Sequence, residues 1–205
     1  MMRPMSVLGV FLFVSVGAAQ DAAPPARPAI WNVDRSHSEV GFVVRHFFTP
    51  VRGKFDSVDV TLQFDPADPT TASVEVRIAV ASVNTGRDRR DNDLRSPNFF
   101  DAPTYPALTF KSSAVRVTGP DEYVAVGTLT IKDVSKEIEL PIHFLGRQEM
   151  PTRDGGTREV AGFEAGLTIN RGDFGVGTGD WVRTNVVAAE VKIEIAIEAS
   201  RRLGG

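Results

Sequence analysis

The chain has 205 residues, with 23 Lys and Arg against 26 Asp and Glu, a formal net charge of −3, and no cysteine. Charge this balanced, without long one-signed runs, excludes a nucleic-acid partner, because phosphate binding needs a concentrated basic surface. The lack of cysteine excludes disulfide staples, thiol nucleophiles and thiolate metal sites, so packing and hydrogen bonds must hold the fold.

Residues 1–19 read as a signal peptide. Arg3 gives a short basic region, residues 6–16 (SVLGVFLFVSV) an apolar one, and Gly17-Ala18-Ala19 the small residues that signal peptidase requires. The apolar run is about half the ~20 residues of a spanning helix, so cleavage is expected near Ala19, with export to the periplasm. Residues 20–29 (QDAAPPARPA) are rich in Pro and Ala and are expected to be a disordered lead-in. Residues 30–200 suffice for one domain with a full core, and 201–205 remain as a C-terminal tail.

From Trp31 onward, period-two alternation dominates. Val40, Phe42, Val44 and His46 share one face of residues 38–46, with Glu39 and Arg45 on the other. Val58, Val60, Leu62 and Phe64 alternate with Asp59, Thr61 and Gln63, and Val74, Val76, Ile78 and Val80 with Glu75 and Arg77. The device recurs at Tyr123, Ala125, Gly127, Leu129 and Ile131, and at Ile138, Leu140, Ile142 and Phe144. In the last strand Val187 through Ile197 alternate with Glu190, Lys192 and Glu194. Each strand has a wet and a dry face, the mark of antiparallel sheet. Eight or nine such strands, separated by Pro- and Gly-bearing turns, must curl into a barrel or pack as a sandwich. Pro141 inside a strand marks an edge, bulge or bend. The parity shift between Phe110 and Val115 reads as a bulge. Both features close barrel corners.

Residues 84–106 break the pattern. Arg87 with Asp91, and Arg89 with Asp93, are spaced as same-face helical pairs. Ser96-Pro97 reads as an N-cap with proline at the first position of a second short helical turn, stopped at 101–103. Leu94, Phe99, Phe100 and Tyr105 are expected to lie across an open end of the sheet as a plug. The charged cluster of Arg87–Asp93 is either a solvated helix face or a source of one inward arginine suited to a ligand headgroup.

Chemistry has little to work with. Ser36-His37-Ser38 places neighbours on opposite strand faces and no nucleophile elbow is present. His37, His46 and His143 lack metal-ligand spacing. His46 is expected inside, as a core histidine or as a polar ligand contact. Residues 170–180 (NRGDFGVGTGD) neither follow a buried parallel strand nor open a helix, so they read as a loop at a pocket lip, with Phe174 and Trp181 at the rim.

Five segments taken in order resemble the YceI-like family of periplasmic, polyisoprenoid-binding proteins: WNVDRSHSEVGFVVRH (31–46), VRGKF (51–55), RDNDLRSPNFFDAPTYPALTF (90–110), VGTLTIKDVSKEIELP (126–141) and INRGDFGVG (169–177). The resemblance implies an extended, lipocalin-like antiparallel barrel of about eight strands. A short helical segment would cross its opening, and an apolar tunnel would hold a long isoprenoid or related amphiphile. It implies no catalytic residues, cofactor or metal. Carried over by motif, Leu94, Phe99 and Phe100 become tunnel wall, and Asp101 a local backbone partner. Ligand contacts are further expected at the inward positions Phe42, Val44, Phe55, Phe110, Leu129, Ile131 and Phe163. The implied function is non-catalytic binding, storage or transport of an isoprenoid, quinone or similar lipid, with transient membrane contact. The alternatives are a filled barrel working through its outer surface, and an enzyme acting on the bound lipid through His46.

Overall fold

The computed structural model describes residues 29–183 and 186–203. The expected signal peptide and nearly all of the expected lead-in therefore lie outside the described residues. Eleven β-segments follow in order: β1 (Ile30–Val33), β2 (Glu39–His46), β3 (Thr49–Phe55), β4 (Val58–Gln63), β5 (Ser73–Ala79), β6 (Val83–Asn84), β7 (Ala107–Gly119), β8 (Glu122–Ile131), β9 (Val134–Pro151), β10 (Thr157–Asn170) and β11 (Val187–Leu203). Helix α1 (Asp88–Arg95) separates β6 from β7, and the single-turn α2 (Asp180–Arg183) precedes β11.

The segments make one antiparallel meander. β1 and β2 both lie along β11, β4 and β3 pair with β1 and β2 in turn, and β5 and β6 continue the order beside them. Joined across their kinks, β1/β2, β3/β4 and β5/β6 each act as one strand, and the β1–β11 pairing closes an eight-strand barrel. The kinks account for the eleven segments where eight or nine strands were expected. At the first, the Asp34 carboxylate accepts the Ser36 amide at 2.8 Å, which turns the chain locally instead of continuing the ladder.

The expected bulge falls between Ser112 and Ala114 on β7. Pro141 marks an edge inside the barrel wall: β9 pairs with β10 only as far as Ile142↔Ala165, while residues 134–141 keep only β8 and residues 166–170 keep only β11. Two expectations change. Ser96 is the C-cap of α1, its hydroxyl donating to the Asp93 carbonyl at 2.7 Å, and the following residues form hydrogen-bonded turns rather than a helix. The expected tail is in part strand, since β11 runs through Leu203 along β10 as far as Thr157.

Buried apolar side chains of the interior group in three clusters. One, around Phe42, Phe55, Phe99 and Phe174, lies at the end that carries α1 (the upper end). A second, around Trp31, Phe64 and Phe163, lies at the opposite, lower end. The third, around Phe110, Val115, Ala125 and Leu140, lies between them on the wall.

Candidate functional site

The inward positions of the strands do not fill the barrel. A main chamber of about 150 Å³ runs along its axis, lined by Val40, Val60, Leu62, Val74, Val76, Leu129, Leu140, Ile142, Phe163, Leu167, Ile195 and like residues. A second chamber of about 90 Å³ continues it upward, lined by Phe42, Val44, Leu94, Phe99, Phe100, Val176, Val187 and Val191. Phe55, Leu108, Ile131, Ile169 and Ile193 belong to both, so the two are stages of one bore. About 10–15 Å³ of such space accommodates one water, and apolar cavities of ~150 Å³ stay dry and take up apolar guests. The lining offers water almost nothing to bond.

Glycines give two wall rings their room. A Cβ on Gly53 would sit 2.3 Å from the Phe42 ring, and one on Gly127 would sit 2.8 Å from the Phe110 ring.

Each end of the bore is sealed differently. Below, Phe64 packs against Phe144, Phe163, Tyr123 and Trp31 at centroid distances of 5.4–6.3 Å. Burial raises the Tyr123 hydroxyl above its ordinary pKa of 10.0. Trp31 donates its indole N–H to the Phe64 carbonyl, and the Arg201 guanidinium stacks on its ring at 4.8 Å. Glu159, 2% exposed, bridges Arg147 and Arg201 beside it.

Above, α1 and the turn after it lay Leu94, Phe99 and Phe100 over the second chamber. Phe100 meets Phe55 at 6.1 Å and Phe99 meets Trp181 at 5.3 Å. Arg171 ties down the loop behind them. Its guanidinium donates to the carbonyls of Ala188, Val176, Trp181 and Val187 at 2.7–3.0 Å, and more weakly to Gly177. Burial lowers its pKa, and backbone dipoles help to hold the charge.

Most of the sequence-derived contacts converge on the bore. Phe42, Val44, Phe55, Leu94, Phe99, Phe100, Phe110, Leu129, Ile131 and Phe163 all line one chamber or the other. Four do not. Phe174 is buried in the upper core behind the lining, and Trp181 backs Phe99 from outside. Tyr105 lies under the Lys132 ammonium. His46 is not a core histidine and lines neither chamber: it ends β2 at the rim, exposed, with its ring edge-on to Phe47 at 4.9 Å. The parity argument placed it inward, but the strand ends before the wall covers it.

Two of the α1 charges are structural. Asp91, 5% exposed, accepts the amide and hydroxyl of Thr85, while Arg90 donates to the Thr85 hydroxyl and carbonyl. Asp101 serves local backbone through its carbonyl, which accepts from Thr104 and Tyr105.

The three histidines have separate partners. His143 pairs with Glu122 at 2.8 Å, His46 with Phe47, and His37 with Asp34 at 3.0 Å and Glu198 at 3.9 Å. The Asp34–His37–Glu198 group is on the outside, away from the bore lining. The lower aromatic seal and Arg171 escaped sequence reasoning. Phe64 and Phe144 carried the right parity, but no local signal said that strands so distant meet around them.

Closed antiparallel walls, an apolar bore and a capped upper end define a lipocalin-like barrel. The model of the YceI-like domain family matches residues 31–199, and the chain belongs to that family. A UPF0312 protein of Azotobacter vinelandii is 30% identical over 92% of this chain and 96% of its own. One from Pseudomonas savastanoi pv. phaseolicola is 33% identical over 80% and 84%. Among solved structures, Burkholderia cenocepacia BcnA superposes with a TM-score of 0.73 at 32% identity, covering 82% of this chain and 99% of that one. A polyisoprenoid binding domain from Saccharophagus degradans shares the fold, with a TM-score of 0.59 at 19% identity over 84% and 98%.

Proposed function

We propose that the protein binds one long, flexible apolar chain in the bore, an isoprenoid, quinone or related lipid, and stores or carries it without chemical change. The observation that carries this is the continuous, almost wholly hydrocarbon lining from Leu62 to Val187. Each CH₂ moved from water into such a lining gains roughly 0.8 kcal/mol, so affinity grows with chain length and needs no specific polar contact. The polyisoprenoid-binding relative of the same fold supports the ligand class. The separate engagement of the three histidines, none in the bore lining, supports a binding role over catalysis. The signal-like residues 1–19 support a site of action in the periplasm, and the exported chain should begin at Gln20.

Native mass spectrometry of detergent-free protein, followed by solvent extraction, tests the reading. A stoichiometric adduct that extracts as a prenyl or acyl chain is the expected result. A clean apo mass that takes up neither polyprenol nor quinone would overturn it.

A further inference from the structure

The hairpin joining β2 to β3 ends in Phe47 and Phe48, which are 57% and 94% exposed. Phe47 has φ 53°, a conformation bulky residues rarely adopt, and its amide donates to the Val186 carbonyl at 2.7 Å. The fold thus holds two aromatic rings in water at the cost of backbone strain, a pattern that concentrates at functional sites. Val182 of α2, in the segment bound by this hydrogen bond, is 70% exposed.

The hairpin's own charge is one-signed: from Val40 to Phe55 it carries Arg45, Arg52 and Lys54 and no Asp or Glu. Arg52 and Lys54, farther from the tip, reach Glu194 and Glu39 at 3.3 and 3.4 Å. Arg45 and His46 directly flank the phenylalanines and are exposed. Rings that sink to the acyl boundary, with cations at the level of the phosphates, suit an anionic bilayer surface.

We propose that this tip, Phe47 and Phe48 framed by Arg45 and His46, docks the protein on an anionic bilayer and sets the upper chamber against it. His46 pairs with Val187, and Val44 with Val191, and these three valines line that chamber. The docking tip is therefore the rim of the bore. The inference rests on the lipid-carrying reading: so apolar a cargo has almost no free concentration in water, and must leave and re-enter a bilayer directly.

The test is co-sedimentation of the chain beginning at Gln20, which keeps the whole barrel, with unilamellar vesicles of phosphatidylcholine and rising phosphatidylglycerol. Binding should strengthen with the anionic fraction. The F47S/F48S double variant should lose about tenfold in vesicle affinity. R45Q should lose roughly fivefold, an effect that about 0.5 M salt should reproduce in the wild type. The substituted side chains are exposed, so an unchanged urea midpoint verifies the fold. Wild-type binding by F47S/F48S, or indifference to phosphatidylglycerol, would overturn the proposal. So would a solution dimer that F47S/F48S dissolves while vesicles go unbound, which would assign the tip to a second copy of the chain. Uptake of ethanol-dispersed polyprenol, read by native mass spectrometry, keeps the two readings apart. Vesicle binding without uptake sinks the lipid-carrying reading alone, and normal uptake by F47S/F48S with vesicle binding lost supports the docking tip.

Discussion

Glu159 is a carboxylate enclosed between two arginines at the lower end of the barrel, and its burial is far deeper than theirs: 2% of its side chain is exposed, against 49% for Arg147 and 18% for Arg201. Removing its charge leaves Arg201 over Trp31 with no counter-ion. A buried pair broken on one side costs about 3–5 kcal/mol, and the exposure of the arginines brings Glu159→Ala to about 2–3 kcal/mol. A urea titration should show this as a lowered midpoint with an unchanged slope. At the outer kink, His37 behaves differently. The hydrogen bond that the ring donates to Asp34, then the charges of Asp34 and Glu198, raise its pKa above 6.5. The Asp34 carboxyl is lowered from 3.8 by the His37 bond and the Ser36 amide. The stabilisation from His37 is thus complete below about pH 6.5 and lost as pH rises through its raised value. That from Asp34 is present above 3.8 and lost as pH falls through its lowered one. Both groups are exposed, so the effect on stability is small. An NMR titration of the His37 ring should show the raised midpoint, and Asp34→Asn should bring it down.

At the scale of elements, α1 and its trailing turn form a cap whose two phenylalanines do different work. Phe99 is 6% exposed and wedged against Trp181, so Phe99→Ala should cost about 3–4 kcal/mol, in the range for buried aromatic truncation. Phe100 lines the same upper chamber and meets Phe55, but it is only half-buried. It has less packing to lose, so Phe100→Ala should cost about half as much and release bound lipid faster. Thermal melts of the lipid-free variants, beside off-rates into acceptor vesicles, check both. This cap was legible because an FF pair in a Pro-bounded, non-alternating stretch has no strand to belong to. The strands were legible for the opposite reason, an unbroken period of two. The sequence did not reveal where strands stop being covered. His46 obeys the inward parity of Phe42 and Val44 and still projects into solvent, and the adjoining Phe47-Phe48 carries no periodic signature. Nor did it reveal contacts between distant strands: Arg171 serves five carbonyls scattered over residues 176–188, and spacing within the chain encodes none of them.

For the whole molecule, stability and capacity pull in opposite directions. Space that receives a ligand is space the protein's own side chains do not fill, and unfilled volume costs free energy in the empty state. Ala165 is a small side chain on the wall of the main chamber. Ala165→Phe should therefore abolish polyprenol uptake while leaving the urea midpoint equal to or above that of the wild-type apo protein. Loss of fold together with loss of uptake would show instead that the wall cannot accept the ring.

The interrupted pairing at Pro141 bears on how such a closed wall can give way. A barrel with every ladder intact is a hoop whose circumference is fixed by its rungs. This hoop has a slit, because residues 134–141 and 166–170 are not rung to each other. Near its upper end the slit is spanned by side chains, Lys136 to Asp173 at 3.2 Å and Lys132 to the Gly175 carbonyl at 3.1 Å. Girth can therefore change there by the flexing of two lysines, with no backbone bond broken, so a thicker guest would be met by a wider barrel rather than by a torn one. Deuterium exchange should register this as faster labelling of residues 134–141 and 166–170 than of residues 157–165, which are paired on both sides, with the difference narrowing when the bore is occupied.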